Sequence, residues 1–256
     1  MRAKKSLGQN FLKSELALRN IVEAGNIQSD EVILEIGPGK GALTNKLLGT
    51  RCKVLAIEKD RELYEFLKIK FEKEISSGQL NLIHGDILEF NTSNHNLETR
   101  TYKIIANIPY NITGAILKKF LTEKNQPKSM VLMVQHEVAT RILARDGKES
   151  ILSISVKAYG EPKMIMKVDK RYFSPAPKVN SAVIKIDHIN RKNFIENEIN
   201  EEKFWEIVKK GFAHKRKKLA NNLKGVISGD KNPENWLKDS RAEDLTLSEW
   251  ILLAKQ

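Results

Sequence analysis

One segment near the amino terminus limits the possible folds more than any other part of this sequence. The apolar run Val32–Ile36 is of strand type, three glycines follow at alternate positions (Gly37, Gly39 and Gly41), and a helical pattern starts at Ala42. A strand that passes through a glycine turn into a helix is typical of parallel α/β sheets, where the turn lies at the carboxyl edge and contacts ligands. By itself, the pattern is equally consistent with a plain tight turn.

The alternation of strand and helix patterns continues along the chain. Hydrophobic period and chain breakers predict strands at 32–36, 53–57, 80–84, 103–106, 130–134, 153–158, 164–168 and 182–186. Helical patterns cover 12–24, 42–48, 61–74, 112–121, 136–144, 201–208, 212–223, 234–238 and 247–255. This order predicts an α/β fold with a Rossmann-like, doubly wound sheet over residues 1–189, followed by a small all-helical domain over residues 190–256.

Charge and composition narrow the possible functions. The 256 residues carry 44 Lys and Arg against 32 Asp and Glu, and the formal net charge of +12 favours nucleic acid as a partner, although a solvated cationic surface gives the same balance. The single cysteine and five scattered histidines lack the spacing of metal ligands, so we expect no metal. Because the sequence has neither a membrane-spanning apolar run nor a secretory signal, we expect a soluble intracellular protein without a membrane partner.

Acidic residues end the second and third predicted strands. Glu58 stands where a carboxylate can accept hydrogen bonds from two ribose hydroxyls, and Asp86 stands where it can accept one from an adenine amine. Pro38 removes a backbone donor from the glycine turn, so a ligand without a pyrophosphate fits better than a dinucleotide. Either carboxylate alone could be a helix cap or a solvated charge. Together with Gly37, they predict a nucleoside-type cofactor.

The fourth predicted strand ends in Asn107-Ile108-Pro109-Tyr110. The exocyclic amine of adenine is a poor nucleophile because its lone pair is delocalised into the ring. The Asn107 carboxamide oxygen and the Ile108 carbonyl can accept the two amine hydrogens, while Pro109 fixes the turn and Tyr110 offers a stacking face. The alternative is a turn in which Asn107 caps the next helix and Pro-Tyr packs.

Phe173 lies just before a proline-restrained loop, Ser174-Pro-Ala-Pro177. Its ring could stack on a target base opposite Tyr110, because an enzyme that modifies a base must hold it outside its stack. An ordinary core aromatic is an equally good interpretation of the residue.

Five segments together resemble one known family. They are 5–12 (Lys-Ser-Leu-Gly-Gln-Asn-Phe-Leu), 35–41 (Glu-Ile-Gly-Pro-Gly-Lys-Gly), 85–86 (Gly-Asp), 107–112 (Asn-Ile-Pro-Tyr-Asn-Ile) and 173–182 (Phe-Ser-Pro-Ala-Pro-Lys-Val-Asn-Ser-Ala). In order and extent they resemble the ribosomal RNA adenine dimethyltransferases, whose cofactor is S-adenosylmethionine. The resemblance implies a methyltransferase sheet whose cofactor contacts include Asn10, Leu12, Gly37, Glu58, Asp86 and Asn107, with Gln9 and Phe11 as further candidates.

Two branches of that family act on small-subunit and on large-subunit rRNA. Residues 211–223 (Gly-Phe-Ala-His-Lys-Arg-Lys-Lys-Leu-Ala-Asn-Asn-Leu) are similar to a basic helix of the small-subunit branch, which dimethylates two adjacent adenines in the 3′-terminal hairpin. We expect Lys215, Arg216, Lys217 and Lys218 to contact RNA phosphates, although a solvated charged face fits the same pattern.

Other functions are also consistent with these sequence features. A DNA adenine methyltransferase shares the Asn-x-Pro-Tyr chemistry, and the alternatives within the resemblance are a large-subunit methyltransferase of the macrolide-resistance type and a non-enzymatic ribosome-assembly or transcription factor. We favour a monomeric cytoplasmic enzyme that acts on small-subunit rRNA within a pre-ribosomal 30S-type particle and takes part in ribosome biogenesis.

Overall fold

The computed structural model describes residues 3–29, 31–95, 97–225 and 239–255, and the chain forms two compact units. The first unit comprises Met1–Ala139 and Glu161–Ile189, and the second comprises Thr140–Gly160 and Asn190–Gln256. The expected helical domain began at residue 190, whereas the second unit also contains residues 140–160. Long-range backbone hydrogen bonds explain the difference, because Glu149 N–H donates to the Glu243 carbonyl (2.7 Å) and Asn190 N–H to the Tyr159 carbonyl (2.9 Å).

The first unit contains both sheets. A seven-stranded sheet has the strand order β4-β3-β2-β5-β6-β9-β7, and β1 pairs with β8 in a separate antiparallel ribbon. Strands β2 to β6 of the large sheet are parallel, while β9 runs antiparallel to both β6 and β7. The strands are β1 Phe11–Leu12, β2 Val32–Ile36, β3 Lys53–Glu58, β4 Leu80–His84, β5 Tyr102–Asn107, β6 Ser129–Gln135, β7 Glu161–Val168, β8 Phe173–Ser174 and β9 Ser181–Asp187.

The strand order reverses between β2 and β5, because the chain adds β3 and β4 on one side of β2 and then returns to the other side. At such a reversal the two connections leave in opposite directions, which opens a crevice outside the carboxyl ends of the strands. The crevice therefore lies where β2, β3, β4 and β5 end.

The helices follow the predicted alternation. They are α1 Glu15–Gly25, α2 Ala42–Leu48, α3 Arg61–Lys70, α4 Glu72–Ser76, α5 Thr113–Thr122, α6 His136–Leu143, α7 Ile151–Lys157, α8 Lys192–Ile195, α9 Glu201–Gly211, α10 Leu219–Asn222 and α11 Leu247–Ala254. Side-chain caps start several of them. Ser14 accepts a hydrogen bond from Ala17 N–H at the start of α1, and Asp60 accepts one from Glu62 N–H at the start of α3.

Apolar strand residues form the core of the first unit. Ile33, Val54, Ile105, Val131 and Val183 come from five neighbouring strands and are all buried in one cluster. Helices α1 and α2 cover this cluster with their own buried apolar faces. Removing such side chains from water is the main source of stability for a sheet of this kind.

Two sequence predictions of secondary structure are wrong. Residues 153–158 do not form a strand, because α7 begins after Ser150, whose side chain and that of Ser153 cap each other's backbone N–H groups in a capping box. The predicted helix 212–223 is also broken, since α9 ends at Gly211 and α10 begins only at Leu219. The cations at 215–218 therefore lie in the turn between the two helices. The predicted helix 234–238 lies outside the described residues.

Packing in the second unit explains why the last residue of α9 is glycine. A β-carbon on Gly211 would lie 2.4 Å from the ring of Trp250, which is fully buried on α11. The Phe212 ring stacks on the same indole with centroids 5.4 Å apart. Close approach of this aromatic pair therefore requires glycine at position 211.

Candidate active site and cofactor pocket

A cavity of about 330 Å³ opens at the carboxyl edge of the parallel strands, where the strand order reverses. The amino-terminal segment, the glycine loop and the ends of β3, β4 and β5 all contribute to its walls. The sequence-predicted residues that line it are Asn10, Leu12, Gly37, Glu58, Asp86, Asn107, Ile108, Pro109 and Tyr110, together with Gln9 and Phe11. Residues that are far apart in the sequence thus meet at one site.

The glycine loop has a conformation that other residues rarely adopt. Gly37, Gly39 and Gly41 have φ values of +65°, +60° and +74°. A β-carbon on Gly39 would lie 3.1 Å from the Phe11 ring, and one on Gly41 would lie 2.5 Å from the Phe71 ring. Among the described residues beyond its chain neighbours, only Pro109 lies within 4 Å of a β-carbon built on Gly37. Gly37 therefore leaves space at the cavity, whereas Gly41 is required for packing beneath the loop.

Glu58 is hydrogen bonded to the backbone of this loop. Its carboxylate is 5% exposed and accepts hydrogen bonds from Gly39 N–H (3.0 Å) and Asp60 N–H (2.8 Å), one on each oxygen. Burial raises the pKa of Glu58 above its ordinary value, against those two hydrogen bonds. Because each carboxylate oxygen has a second lone pair, Glu58 can still accept hydrogen bonds from a ribose.

Glu35 is a site residue that the sequence interpretation missed. It is 1% exposed, lines the cavity, and its Oε2 atom has no hydrogen-bond partner among the described residues. Burial, opposed by hydrogen bonding from Thr44 and aided by the nearby charge of Glu58, raises the pKa of Glu35 to about 8. A buried carboxyl oxygen without a partner is costly, so its position beside the cavity suits a cationic or hydrogen-bonding ligand. The available signal was a charged residue inside an otherwise apolar buried strand.

Asp86 follows β4 by two residues and is oriented by two donors. Its Oδ1 accepts a hydrogen bond from Leu88 N–H (2.9 Å), and its Oδ2 lies 2.6 Å from Lys59 Nζ. Burial by itself would raise the pKa of Asp86, but the hydrogen bonds from Lys59 and Leu88 N–H and the charge of Lys59 together outweigh it, and the pKa is lowered. Asp86 is therefore an ionised acceptor at neutral pH, as recognition of an adenine amine requires.

The amino-terminal segment is held against the site by polar contacts. Lys4 Nζ and Gln9 Nε2 lie 2.8 and 2.9 Å from the two carboxylate oxygens of Asp60. The Asn107 side-chain amide donates to the Asn10 carbonyl (3.3 Å), which leaves its Oδ1 atom as an acceptor. This contact orients the carboxamide.

The Asn107–Tyr110 turn does not serve as a helix cap. A short 3-10 helix starts after Pro109, and the residue before α5 is Ile112, which makes no side-chain capping bond. The Tyr110 hydroxyl lies 2.5 Å from Ser181 Oγ. The interpretation of Asn107 as a cap is therefore wrong, and its side chain is available to the cavity.

Phe173 does not line the cavity in this structure. It is 3% exposed, pairs with Leu12 across the β1–β8 ribbon, and belongs to the core cluster with Val168. The expectation that its ring faces the cavity is corrected in favour of the core interpretation, since burial of the ring stabilises the ribbon. The neighbouring Tyr172 is instead exposed, and Ser174 lines the cavity.

The predicted RNA-contact residues lie in the second unit. Lys215, Arg216, Lys217 and Lys218 are all exposed, in a turn between α9 and α10. Their exposure gives a polyanion access to these side chains, although Lys218 is already ion-paired, with its Nζ 2.5 Å from an Asp239 carboxylate oxygen.

Within the described part of the chain, no cluster of three His, Cys, Asp or Glu side chains could hold a metal ion. The described helices also include none that is both long and apolar enough to cross a membrane.

Comparisons with known proteins identify the family of this chain. Residues 1–255 match the sequence profile of the family described as "Ribosomal RNA adenine dimethylase". The "Ribosomal RNA small subunit methyltransferase A" of Dehalococcoides mccartyi strain CBDB1 is 37% identical over 98% of this chain and 87% of its own length.

Two solved structures share the fold over almost the whole chain. A dimethyladenosine transferase from Plasmodium falciparum has a TM-score of 0.78 at 26% identity, covering 95% of each chain. The 23S rRNA methyltransferase ErmE has a TM-score of 0.77 at 22% identity, covering 96% of this chain and 100% of its own, and at that identity it supports the fold alone.

The buried, unpartnered Glu35 oxygen, the Glu58 carboxylate and the open face of Gly37 fit S-adenosylmethionine, the cofactor that the resemblance implied. With the profile match over 255 residues and the near full-length relatives, the chain belongs to the ribosomal RNA adenine dimethylase family of S-adenosylmethionine-dependent methyltransferases.

Proposed function

We propose that this protein dimethylates the N6 amines of two adjacent adenines in the 3′-terminal hairpin of small-subunit rRNA. The observation that carries the proposal is Asn107, which ends β5 beside the cavity with its amide nitrogen engaged by the Asn10 carbonyl and its Oδ1 atom available as an acceptor. The relative named for the small subunit supports this substrate.

Two acceptors at the turn activate the amine. Asn107 Oδ1 and the Ile108 carbonyl accept its hydrogens and favour the pyramidal form, in which the lone pair is localised on nitrogen. S-adenosylmethionine, when bound, would supply the methyl group from its sulfonium and would leave as the neutral thioether once the methyl carbon–sulfur bond is broken. The amine product is cationic and can lose its proton to water, so a strong base is not required.

Tyr110 holds the target base. Its ring lies at the cavity and its hydroxyl is fixed by Ser181, while burial raises the pKa of Tyr110 and keeps the phenol neutral. A neutral, fixed ring is suited to stacking on a base taken from its helix. The second methylation uses the same contacts with one amine hydrogen fewer, so one of the two acceptors is then without a partner.

The second unit carries exposed cations that are suited to RNA binding. We assign Lys215, Arg216, Lys217 and Lys218 to phosphates of the rRNA, with a pre-ribosomal small-subunit particle as the natural substrate. Such contacts give affinity without reading sequence. The proposal includes a monomeric enzyme in the cytoplasm.

The test is methylation by the purified protein with labelled S-adenosylmethionine and three substrates: unmethylated small subunits, large-subunit rRNA and duplex DNA. Nucleosides from each digest are identified by mass spectrometry. We expect dimethyladenosine in the small subunit only, loss of label in Asn107→Ala, and full activity in Asn94→Ala, which truncates an exposed asparagine outside the cavity.

Each other outcome has a defined meaning. Label in large-subunit RNA overturns the substrate, and label in DNA overturns the family's substrate class for this chain. No label in any substrate, with intact cofactor binding, supports a non-enzymatic assembly factor. Full activity of Asn107→Ala refutes the role of the carboxamide.

A further inference from the structure

An exposed aromatic ring with a cation over it lies next to the cavity. Tyr172 is 41% exposed, and the guanidinium carbon of Arg171 lies 5.3 Å from the centroid of its ring. The Arg171 side chain is itself 74% exposed. The proposed catalytic turn does not use either side chain.

The position of this pair is set by the β1–β8 ribbon. Lys13 N–H donates to the Tyr172 carbonyl (2.8 Å), and both Lys13 and Ser174 line the cavity. Phe173 is extended (φ −114°, ψ 157°) and its ring is buried, so the residues on either side of it lie away from the core. Two residues of extended chain span about 7 Å, which places the Tyr172 backbone within one nucleotide of the cavity wall at Ser174.

The loop that carries the pair is fixed at both ends. The Asp169 carboxylate accepts a hydrogen bond from Arg171 N–H (2.9 Å), and the Asn180 carboxamide oxygen accepts one from Lys170 N–H (3.0 Å). The Asn180 carbonyl in turn accepts a hydrogen bond from His136 N–H (2.9 Å). A ring on a fixed backbone loses little conformational entropy when a ligand stacks on it.

We propose that Tyr172 and Arg171 form a stacking site for an unpaired nucleotide of the RNA substrate, directly next to the adenine that enters the cavity. Aromatic rings and guanidinium planes stack on unpaired bases of any identity. The exposed Lys13 and Lys170 supply cations for the phosphates on either side. This inference rests on the proposed function, because it takes RNA as the substrate.

The test is a double-mutant cycle on RNA binding, measured by fluorescence anisotropy with a labelled small-subunit hairpin. Wild type and Tyr172→Leu are each measured with the intact hairpin and with two abasic hairpins. One abasic hairpin lacks the base on the 5′ side of a target adenine, and the other lacks the base on the 3′ side. We expect Tyr172→Leu to weaken Kd roughly tenfold on the intact hairpin, within the range for base–aromatic stacking, and to have no effect on one of the abasic hairpins.

Two controls separate stacking from a fold defect. Tyr172→Trp should restore affinity, and both variants should bind S-adenosylmethionine as the wild type does. Tyr64→Leu removes a second ring with a lysine over it, Lys68 Nζ at 5.6 Å, from outside the cavity lining, and should not change RNA binding.

Equal losses for Tyr172→Leu on intact and abasic hairpins, or no loss on either, overturn the stacking site. Failure of the proposed function is a different result, because it appears in the wild type as methylation of another RNA, of DNA or of no substrate, whereas the cycle measures RNA binding. The same cycle on that RNA then decides whether Tyr172 stacks.

Discussion

Replacing Gly41 by alanine tests how the cofactor loop is packed. The residue has a φ of +74°, and a new β-carbon would lie 2.5 Å from Phe71 Cε2 and 2.9 Å from Leu67 Cδ2. The left-handed conformation costs an L-residue about 1–2 kcal/mol, and overpacking of a core costs about 1–3 kcal/mol more. We therefore expect a loss of about 3 kcal/mol, or roughly 10 °C in the Tm of the first unit.

Gly78→Ala is the matched control. Its φ of +75° is nearly the same, but no described atom lies within 4 Å of the new β-carbon. Only the conformational cost applies, so the Tm should fall by roughly 4 °C. Differential scanning calorimetry of the two variants measures both Tm shifts, and both substitutions lie in the first unit of the chain. Equal shifts would refute the argument, because the contact with Phe71 would then contribute nothing.

Two further predictions concern the cavity, and a third concerns the exposed cations of the second unit. Because the pKa of Glu35 is raised to about 8 without ligand and a cationic ligand lowers it, cofactor binding near pH 7 should release a proton and tighten from pH 6 to 8. Calorimetry in buffers of different ionisation heat should show this proton release. Proton release by the Glu35→Gln variant would refute its assignment to Glu35. Tyr110→Phe loses one hydrogen bond, to Ser181, so kcat should fall by roughly fivefold or less. Tyr110→Ala also removes the ring and should raise the KM for RNA more than tenfold. Equal effects of the two substitutions on steady-state kinetics would contradict the stacking role. Lys217→Ala should lower the slope of log Kd against log salt concentration by about one, and an unchanged slope would exclude a phosphate contact.

Much of the site was predictable because it follows from short-range patterns. Each of Gly37, Glu58 and Asp86 lies at or just after a strand whose period is evident in the sequence, and all three line the same cavity. Parallel strands bring their carboxyl ends to one edge, so the sequence needed only to identify where each strand stops. Asn107 was predictable for the same reason.

Other features depended on contacts that the sequence does not reveal. The hydrophobic period at 153–158 predicted a strand, but the Ser150–Ser153 capping box and backbone bonds to residues far along the chain made it part of a helical unit. Phe173 was judged equally suited to the cavity or to the core, and only the pairing of β8 with β1 decided which.

The sequence by itself determined the α/β alternation, the family and the residues at the strand ends, since local period and spacing carry that information. Tertiary structure decided that Glu35 is buried beside the cavity with an unpartnered oxygen, that Gly41 must lack a side chain, and that Tyr172 is exposed where Phe173 is buried. Each of these features depends on contacts between residues that are far apart in the sequence. Burial, pKa and steric fit are set by those contacts, and the residue type alone does not determine them.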